Sequence, residues 1–221
     1  NKGLNLKKKC AIPCLMEKYQ SIRIFKSPIL ELCTHVHPLT PLIMWCPYIV
    51  YLFYRAYAYA RLTTTEFVSW FFIGIFVWTL TEYLMHRLVF HFPAKNRFTK
   101  RFVYLFHGLH HDDANDPTRL VMPPVPAILL VFLLTQFFSL MIATRYLDVF
   151  MANFLIGYLC YDYIHYATHH FAMTSKVGKY LRSYHLKHHF SHEHSKYGVS
   201  SPLWDYIFGT VSGPKKDSVE L

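Results

Sequence analysis

The chain has 221 residues, room for one domain, with 53% hydrophobic residues, 18% aromatic residues and a formal net charge of +10. So much apolar material, with a positive mean hydropathy, excludes an ordinary soluble domain and points to a membrane. The Lys and Arg residues flank apolar runs instead of forming a basic face, which argues against nucleic acid and for contact with lipid headgroups.

Residues 1–38 read as a cytosolic N-terminal segment and residues 39–221 as a membrane domain. The start is Lys-rich and polar with no apolar run close behind it, so no cleavable signal peptide is expected. Because the chain begins at Asn1, it reads as part of a longer protein. The five cysteines, Cys10, Cys14, Cys33, Cys46 and Cys160, are odd in number and scattered. No second pair completes a zinc site with Cys10 and Cys14, so reduced thiols are expected.

Four apolar segments follow, at residues 39–54, 67–85, 125–143 and 148–166, each near the roughly 20 residues that a helix needs to cross a bilayer. Pro41 and Pro47 are expected to break or tilt the first. The four residues 144–147 between the third and fourth predict a tight antiparallel hairpin, either spanning or re-entrant. Of the 23 Lys and Arg residues, twenty lie before the first segment, between the second and third, or after the fourth. Arg55, Arg61 and Arg145 lie on the other side, so both termini and the central loop are predicted to be cytosolic.

Histidines cluster at that predicted cytosolic side. The groups are His86-Arg-Leu-Val-Phe-His91, His107-Gly-Leu-His110-His111, His165-Tyr-Ala-Thr-His169-His170 and His185-Leu-Lys-His188-His189. On a helix, His107, His110 and His111 share one face, His185, His188 and His189 repeat that arrangement, and His165 and His169 sit one turn apart. His86 and His91, spaced by five, point about 140° apart on a regular α-helix, so the helix is expected to end or distort between them. Imidazole suits iron, zinc, copper and nickel, and so many imidazoles suit two ions better than one. Glu82 and Asp162 precede His86 and His165 by four and three residues, placed to accept an imidazole N–H. His170 points away from His165 and reads as structural. His192 shares the face of His185 if the helix continues, whereas His194, His35 and His37 read as non-ligands.

These residues bring out a resemblance. Glu82-Tyr-Leu-Met-His-Arg-Leu-Val-Phe-His91, His107-Gly-Leu-His-His111, Asp116 with Arg119-Leu-Val-Met-Pro-Pro124, Tyr161-Asp-Tyr-Ile-His-Tyr-Ala-Thr-His-His170, Tyr184-His-Leu-Lys-His-His-Phe190 and Ser200-Ser-Pro-Leu-Trp-Asp-Tyr-Ile-Phe-Gly-Thr210 resemble the fatty acid hydroxylase superfamily of membrane histidine-box enzymes. Within it they are most similar to sphingolipid fatty acid 2-hydroxylases. The resemblance implies an all-α fold, with four transmembrane helices and a cytosolic helical cap around a dinuclear metal site. It implies His86, His91, His107, His110, His111, His165, His169, His185, His188 and His189 as ligands. By likeness to related desaturases, His86, His91, His111, His169 and His189 would hold one ion and the other five the second.

The activity so implied is O2-dependent hydroxylation at C2 of a long acyl chain, on a sphingolipid or ceramide or as the free acid. Its cofactors are two iron ions, which zinc can replace on purification, and its electrons come from cytochrome b5 and its reductase. The implied location is the endoplasmic reticulum membrane. Selectivity for C2 makes Asp116, Tyr161, Tyr166 and Tyr184 candidates for contact with the substrate headgroup.

Two departures stand out. Ala114-Asn115 replaces the Pro-Met common before Asp116, and the His-Pro-Gly-Gly motif of a fused cytochrome b5 domain is absent, His37-Pro38 being followed by Leu39. A sterol C4-methyl oxidase, sterol desaturase or carotenoid hydroxylase shares the boxes and stays open as an alternative. A metal transporter would place its ionisable ligands along the spans, whereas here they gather at one end.

Overall fold

A computed structural model describes residues 19–191 and 195–213. Cys10, Cys14, His192 and His194 lie outside the described residues. The described helices are α1 (Pro28–Leu32), α2 (Thr40–Arg55), α3 (Thr64–Leu84), α4 (Arg97–Val103), α5 (Leu109–Asp112), α6 (Pro124–Ser139), α7 (Thr144–His170), α8 (Lys176–Phe190) and α9 (Leu203–Ile207). Three π-helical segments, Ala56–Ala60, Met85–Phe90 and Tyr104–Gly108, continue α2, α3 and α4.

The centre of the bundle is α7, with Val149, Ala152, Asn153 and Leu155 wholly buried. It packs closely against α3 because two glycines remove the side chains in between. A Cβ on Gly74 would stand 2.7 Å from Asn153 Cβ, and one on Gly157 2.7 Å from Trp78 Cβ. Small residues of this kind let helix backbones approach where lipid supplies no hydrophobic drive.

α3 starts at a capping box: Thr63 Oγ1 accepts from the Glu66 N–H (3.2 Å) and Glu66 accepts from the Thr63 N–H (2.8 Å). Glu66 also accepts from Tyr146 Oη (2.8 Å) at the start of α7. The two helices therefore begin together and run in parallel to the same end. α2 runs the other way along α7, with Arg55 pairing with Asp148 (3.0 Å) at one end and Tyr163 donating to the Pro38 carbonyl (2.6 Å) at the other. α6 is antiparallel to α7 as well, its last turn placing Phe138 against Phe150.

All four expected apolar segments are helical, but their lengths and hydropathy correct the four-span expectation. Among the described residues, two helices, Thr64–Phe90 and Thr144–His170, are long and apolar enough to cross a membrane. α6 has 16 residues, about 24 Å of helix against a hydrocarbon core of about 30 Å. α2, continued to Ala60 by its π segment, is long enough but less apolar, carrying Pro41, Pro47 and Arg55. Pro47 lies inside α2 without ending it. The hairpin turn also moves: α7 already begins at Thr144, so Leu140–Ala143 makes the connection. The outer faces of α3 and α6 are apolar and exposed, including Phe72, Phe76, Leu129, Phe132 and Leu133, a surface suited to lipid. Cys33, Cys46 and Cys160 are free thiols.

Candidate metal centre

At the shared end of α3 and α7, ten imidazoles form two groups of five. One is His86, His91, His107, His111 and His188, and the other is His110, His165, His169, His185 and His189. Within each group the ligand nitrogens all lie within 4.8 Å of one another.

Each helix reaches the site by its own local geometry. The π turn Met85–Phe90 contains His86 and is capped by His91, whose N–H bonds the His86 carbonyl (3.1 Å). A π turn holds more residues than an α turn, so a spacing of five returns to the same side of the helix. The expected distortion is this π turn. The pairs His107/His111, His165/His169 and His185/His189 use the α-helical spacing of four. Each pair serves one group. The residue at i+3 in the two triple boxes crosses to the other: His110 leaves His107 and His111 for the second group, and His188 leaves His185 and His189 for the first. The division expected by likeness to desaturases is thus corrected at four positions: His107 and His188 join His86, and His169 and His189 join His110.

The nitrogens converge as ligands do. Nε2–Nε2 separations are 3.0 Å for His86–His107, 2.9 Å for His107–His111 and 3.0 Å for His91–His188. In the second group they are 3.0 Å for His110–His165, 2.8 Å for His169–His185 and 3.0 Å for His185–His189. Two nitrogens about 2.1 Å from a shared ion and at right angles lie about 3.0 Å apart, so both groups fit a metal ion. Burial, and then the neighbouring imidazoles, push His107, His110 and His185 well below the ordinary histidine pKa. The same causes bring His111 down to about 3. Such imidazoles are neutral at pH 7, the form that binds metal. The result is a dinuclear metal-binding site.

His170 packs at a tilt against Tyr166, outside both groups. His35 bonds Thr118 Oγ1 through Nδ1 (2.6 Å) and Arg119 through Nε2 (2.9 Å), and His37 is exposed. Glu82 departs from its expected role. Its carboxylate accepts from the N–H groups of Val199 (2.7 Å) and Ser200 (2.9 Å) and from Ser200 Oγ, not from an imidazole. The acceptors of imidazole N–H are backbone carbonyls, Tyr197 O for His86 Nδ1 and Ser195 O for His188 Nδ1 (2.7 Å). Sequence reasoning missed the role of this segment, although the run Ser200–Asp205 is among the motifs that carry the resemblance.

A cavity of about 330 Å³ opens on the site through His107, His110 and His165. From there it runs between α3, α6 and α7, lined by Trp78, Met85, Leu130, Leu134, Phe154 and Leu155. Asp162 lies on its wall near Tyr158 instead of against an imidazole, and Tyr161, stacked on His165, lines it too. The other headgroup candidates lie elsewhere. Asp116 is 1% exposed and accepts from the N–H (2.9 Å) and Oγ1 (2.7 Å) of Thr118. Those bonds, one from Ser21 and the charge of Arg119 outweigh burial and hold its carboxyl below the ordinary value. Tyr184 is buried beside Asp205, and Tyr166 packs on His170.

The N-terminal segment belongs to this site. Ile24, Phe25, Cys33 and Thr34 line the cavity, and Val36 N–H bonds the Thr118 carbonyl (2.7 Å). Glu31 pairs with Arg119 (2.6 Å), whose side chain is 4% exposed.

Residues 71–210 match the Fatty acid hydroxylase family. The chain belongs to this family. The dihydroceramide fatty acyl 2-hydroxylase FAH1 of Arabidopsis thaliana is 33% identical over 198 residues, covering 88% of this chain and 83% of the relative. The ceramide very long chain fatty acid hydroxylase SCS7 of Saccharomyces cerevisiae is 39% identical over 180 residues, 78% of this chain and 45% of its own length. The fatty acid 2-hydroxylase of Rattus norvegicus is 33% identical over 221 residues, and the chain spans 58% of its length. A solved structure of full-length scs7p, in which only the hydroxylase domain is visible, superimposes with a TM-score of 0.77 at 32% identity. The match covers 84% of this chain and 70% of that one. The matched span contains all ten imidazoles of the two groups.

Proposed function

We propose that this chain is the oxygenase domain of a fatty acid 2-hydroxylase acting on the acyl chain of a ceramide or related sphingolipid. The observation that carries this reading is the cavity: an apolar passage whose polar end meets ligands of both metal groups. When bound, the two ions, taken to be iron with zinc as a substitute on purification, supply O2 activation.

The protein's own part is to hold, orient and exclude water. The ten imidazoles would hold the pair. Trp78, Leu130, Leu134 and Phe154 give the acyl chain a dry channel and so fix which carbon stands beside the site. Asp162 and Tyr161, polar groups on that wall, are placed to meet the acyl carbonyl or amide, which keeps C2 nearest the imidazoles. Arg119 and Glu31 close the polar end with the N-terminal segment. The other oxygen atom leaves as water, which needs two electrons, and cytochrome b5 with its reductase is the proposed source. The distribution of Lys and Arg supports cytosolic termini, and the relatives' lipid chemistry fits the endoplasmic reticulum membrane.

The test is lipid mass spectrometry under 18O2 in cells expressing the full-length protein, beside His188→Ala and His189→Ala variants. One 18O at C2 of ceramide acyl chains, absent from both variants, is expected. Altered sterols or carotenoids with unlabelled ceramides would overturn the reading.

A further inference from the structure

The two metal groups are supported unequally. In the first, His86 and His188 each donate Nδ1–H to a carbonyl, Tyr197 O and Ser195 O. These bonds fix the tautomer, leave Nε2 bare and make it a better donor to metal. In the second group, Nδ1 of His185 and Nδ1 of His189 are buried with no protein acceptor among the described residues.

The two carbonyls sit on one loop, and two buried carboxylates clamp it. Asp205, 0% exposed, accepts from the N–H groups of Tyr197 (2.9 Å) and Gly198 (2.7 Å) and from Thr210 Oγ1 (2.7 Å). Glu82 holds the next two N–H groups, Val199 and Ser200. Position 198 admits only glycine, because a Cβ there would stand 2.1 Å from the Ser201 carbonyl oxygen. Four successive N–H groups, 197 to 200, are thus held by carboxylates, which fixes the Tyr197 carbonyl between them. The Ser195 carbonyl is fixed one step further on, because the Lys196 N–H of the same peptide bonds the carbonyl of Thr210 (2.8 Å), the residue whose Oγ1 Asp205 holds.

We propose that Asp205 and Glu82 are positioning residues for one metal of the pair, the ion held by His86, His91, His107, His111 and His188. That ion is the tightly kept one, and the ion of the His110 group is the exchangeable one. The inference rests on the dinuclear site and is independent of which lipid is hydroxylated.

Metal counting on the purified full-length protein during an EDTA challenge tests it without any activity assay. The wild type should lose its metal in two steps, one ion per chain leaving first. In Asp205→Asn an amide N–H faces a loop N–H, and the slower step should accelerate by about 10- to 100-fold, the usual cost of an outer partner of a metal ligand. The faster step should stay unchanged. Glu82→Ala should behave like Asp205→Asn. Glu82→Gln, which keeps an oxygen for Val199 and Ser200 and can donate to Ser200 Oγ, should stay near wild type. His165→Ala should remove the fast step and leave the slow one. Should Asp205→Asn fail to fold, the contrast between Glu82→Ala and Glu82→Gln carries the test. Loss of both ions in one step from the wild type would overturn the proposal, as would equal acceleration of both steps in the clamp variants.

Discussion

His111 and His189 stack with ring centroids 4.2 Å apart and planes 24° from parallel, yet their ligand nitrogens belong to opposite metal groups. This contact is the seam of the dinuclear site. On each side of it the adjacent residue in sequence, His110 or His188, crosses to the other group. The two groups therefore share their helices.

That crossing predicts the outcome of removing a single ligand. His188→Ala takes one imidazole from the first group and also unties the Ser195 carbonyl. Metal content should fall below two ions per chain, and hydroxylation should drop by more than about 100-fold, beyond the range for an outer partner. Elemental analysis beside product assay checks this. Two retained ions with near-normal turnover would show that His188 is no ligand.

Acid should destabilise the metal-free protein. His111 is held down to about 3, by burial first and then by the imidazoles of His188 and His169. In the unfolded chain it titrates near 6.5. Between those values the unfolded state binds more protons, so stability is fully present above about pH 6.5 and is lost as pH falls toward 3. Thermal melts of chelator-treated protein in detergent, stepped from pH 7.5 to 4.5, should show a steadily falling Tm. A flat profile would refute the neutral, buried state of these imidazoles.

The close contact of α3 and α7 is open to a one-atom test. In Gly157→Ala the new Cβ would meet Trp78 Cβ and Cγ at 2.7 Å, and overpacking of this kind costs about 1–3 kcal/mol. The two helices end in His86/His91 and His165/His169, so metal retention should weaken together with Tm. A variant that melts like the wild type would mean that Trp78 yields without cost.

Cavity depth should set product length. Leu134→Trp fills the passage beside Phe154 and Leu155 and should shift 2-hydroxy products toward shorter acyl chains, while Leu134→Ala should favour longer ones. Chain-length profiles from lipidomics decide the matter, and profiles unmoved by both changes would place the acyl chain elsewhere.

Much of the site was legible because its signals are local. Spacings of three, four and five in the histidine boxes carry helical phase, and they mark all ten imidazoles and even the distortion between His86 and His91. Which imidazole joins which ion was not legible, because the crossing of His110 and His188 depends on how whole helices face one another. Glu82 was read against its sequence neighbour His86, whereas its partners Val199 and Ser200 lie 117 and 118 residues away. Asp116 had the chemistry of a headgroup contact but is consumed by the turn at Thr118. The length of α6 was overestimated because apolar composition continues past its end into the connection at 140–143.

The π turn at Met85–Phe90 has a consequence for lineage. A helix that gains one residue can absorb it as a single widened turn, leaving everything before and after in register. The five-residue spacing of His86 and His91 and the four-residue spacing of the other pairs are then one device in two lengths. Deleting one of the four residues between His86 and His91 would convert the first into the second, so length variation at this box between relatives need not mean a changed metal site.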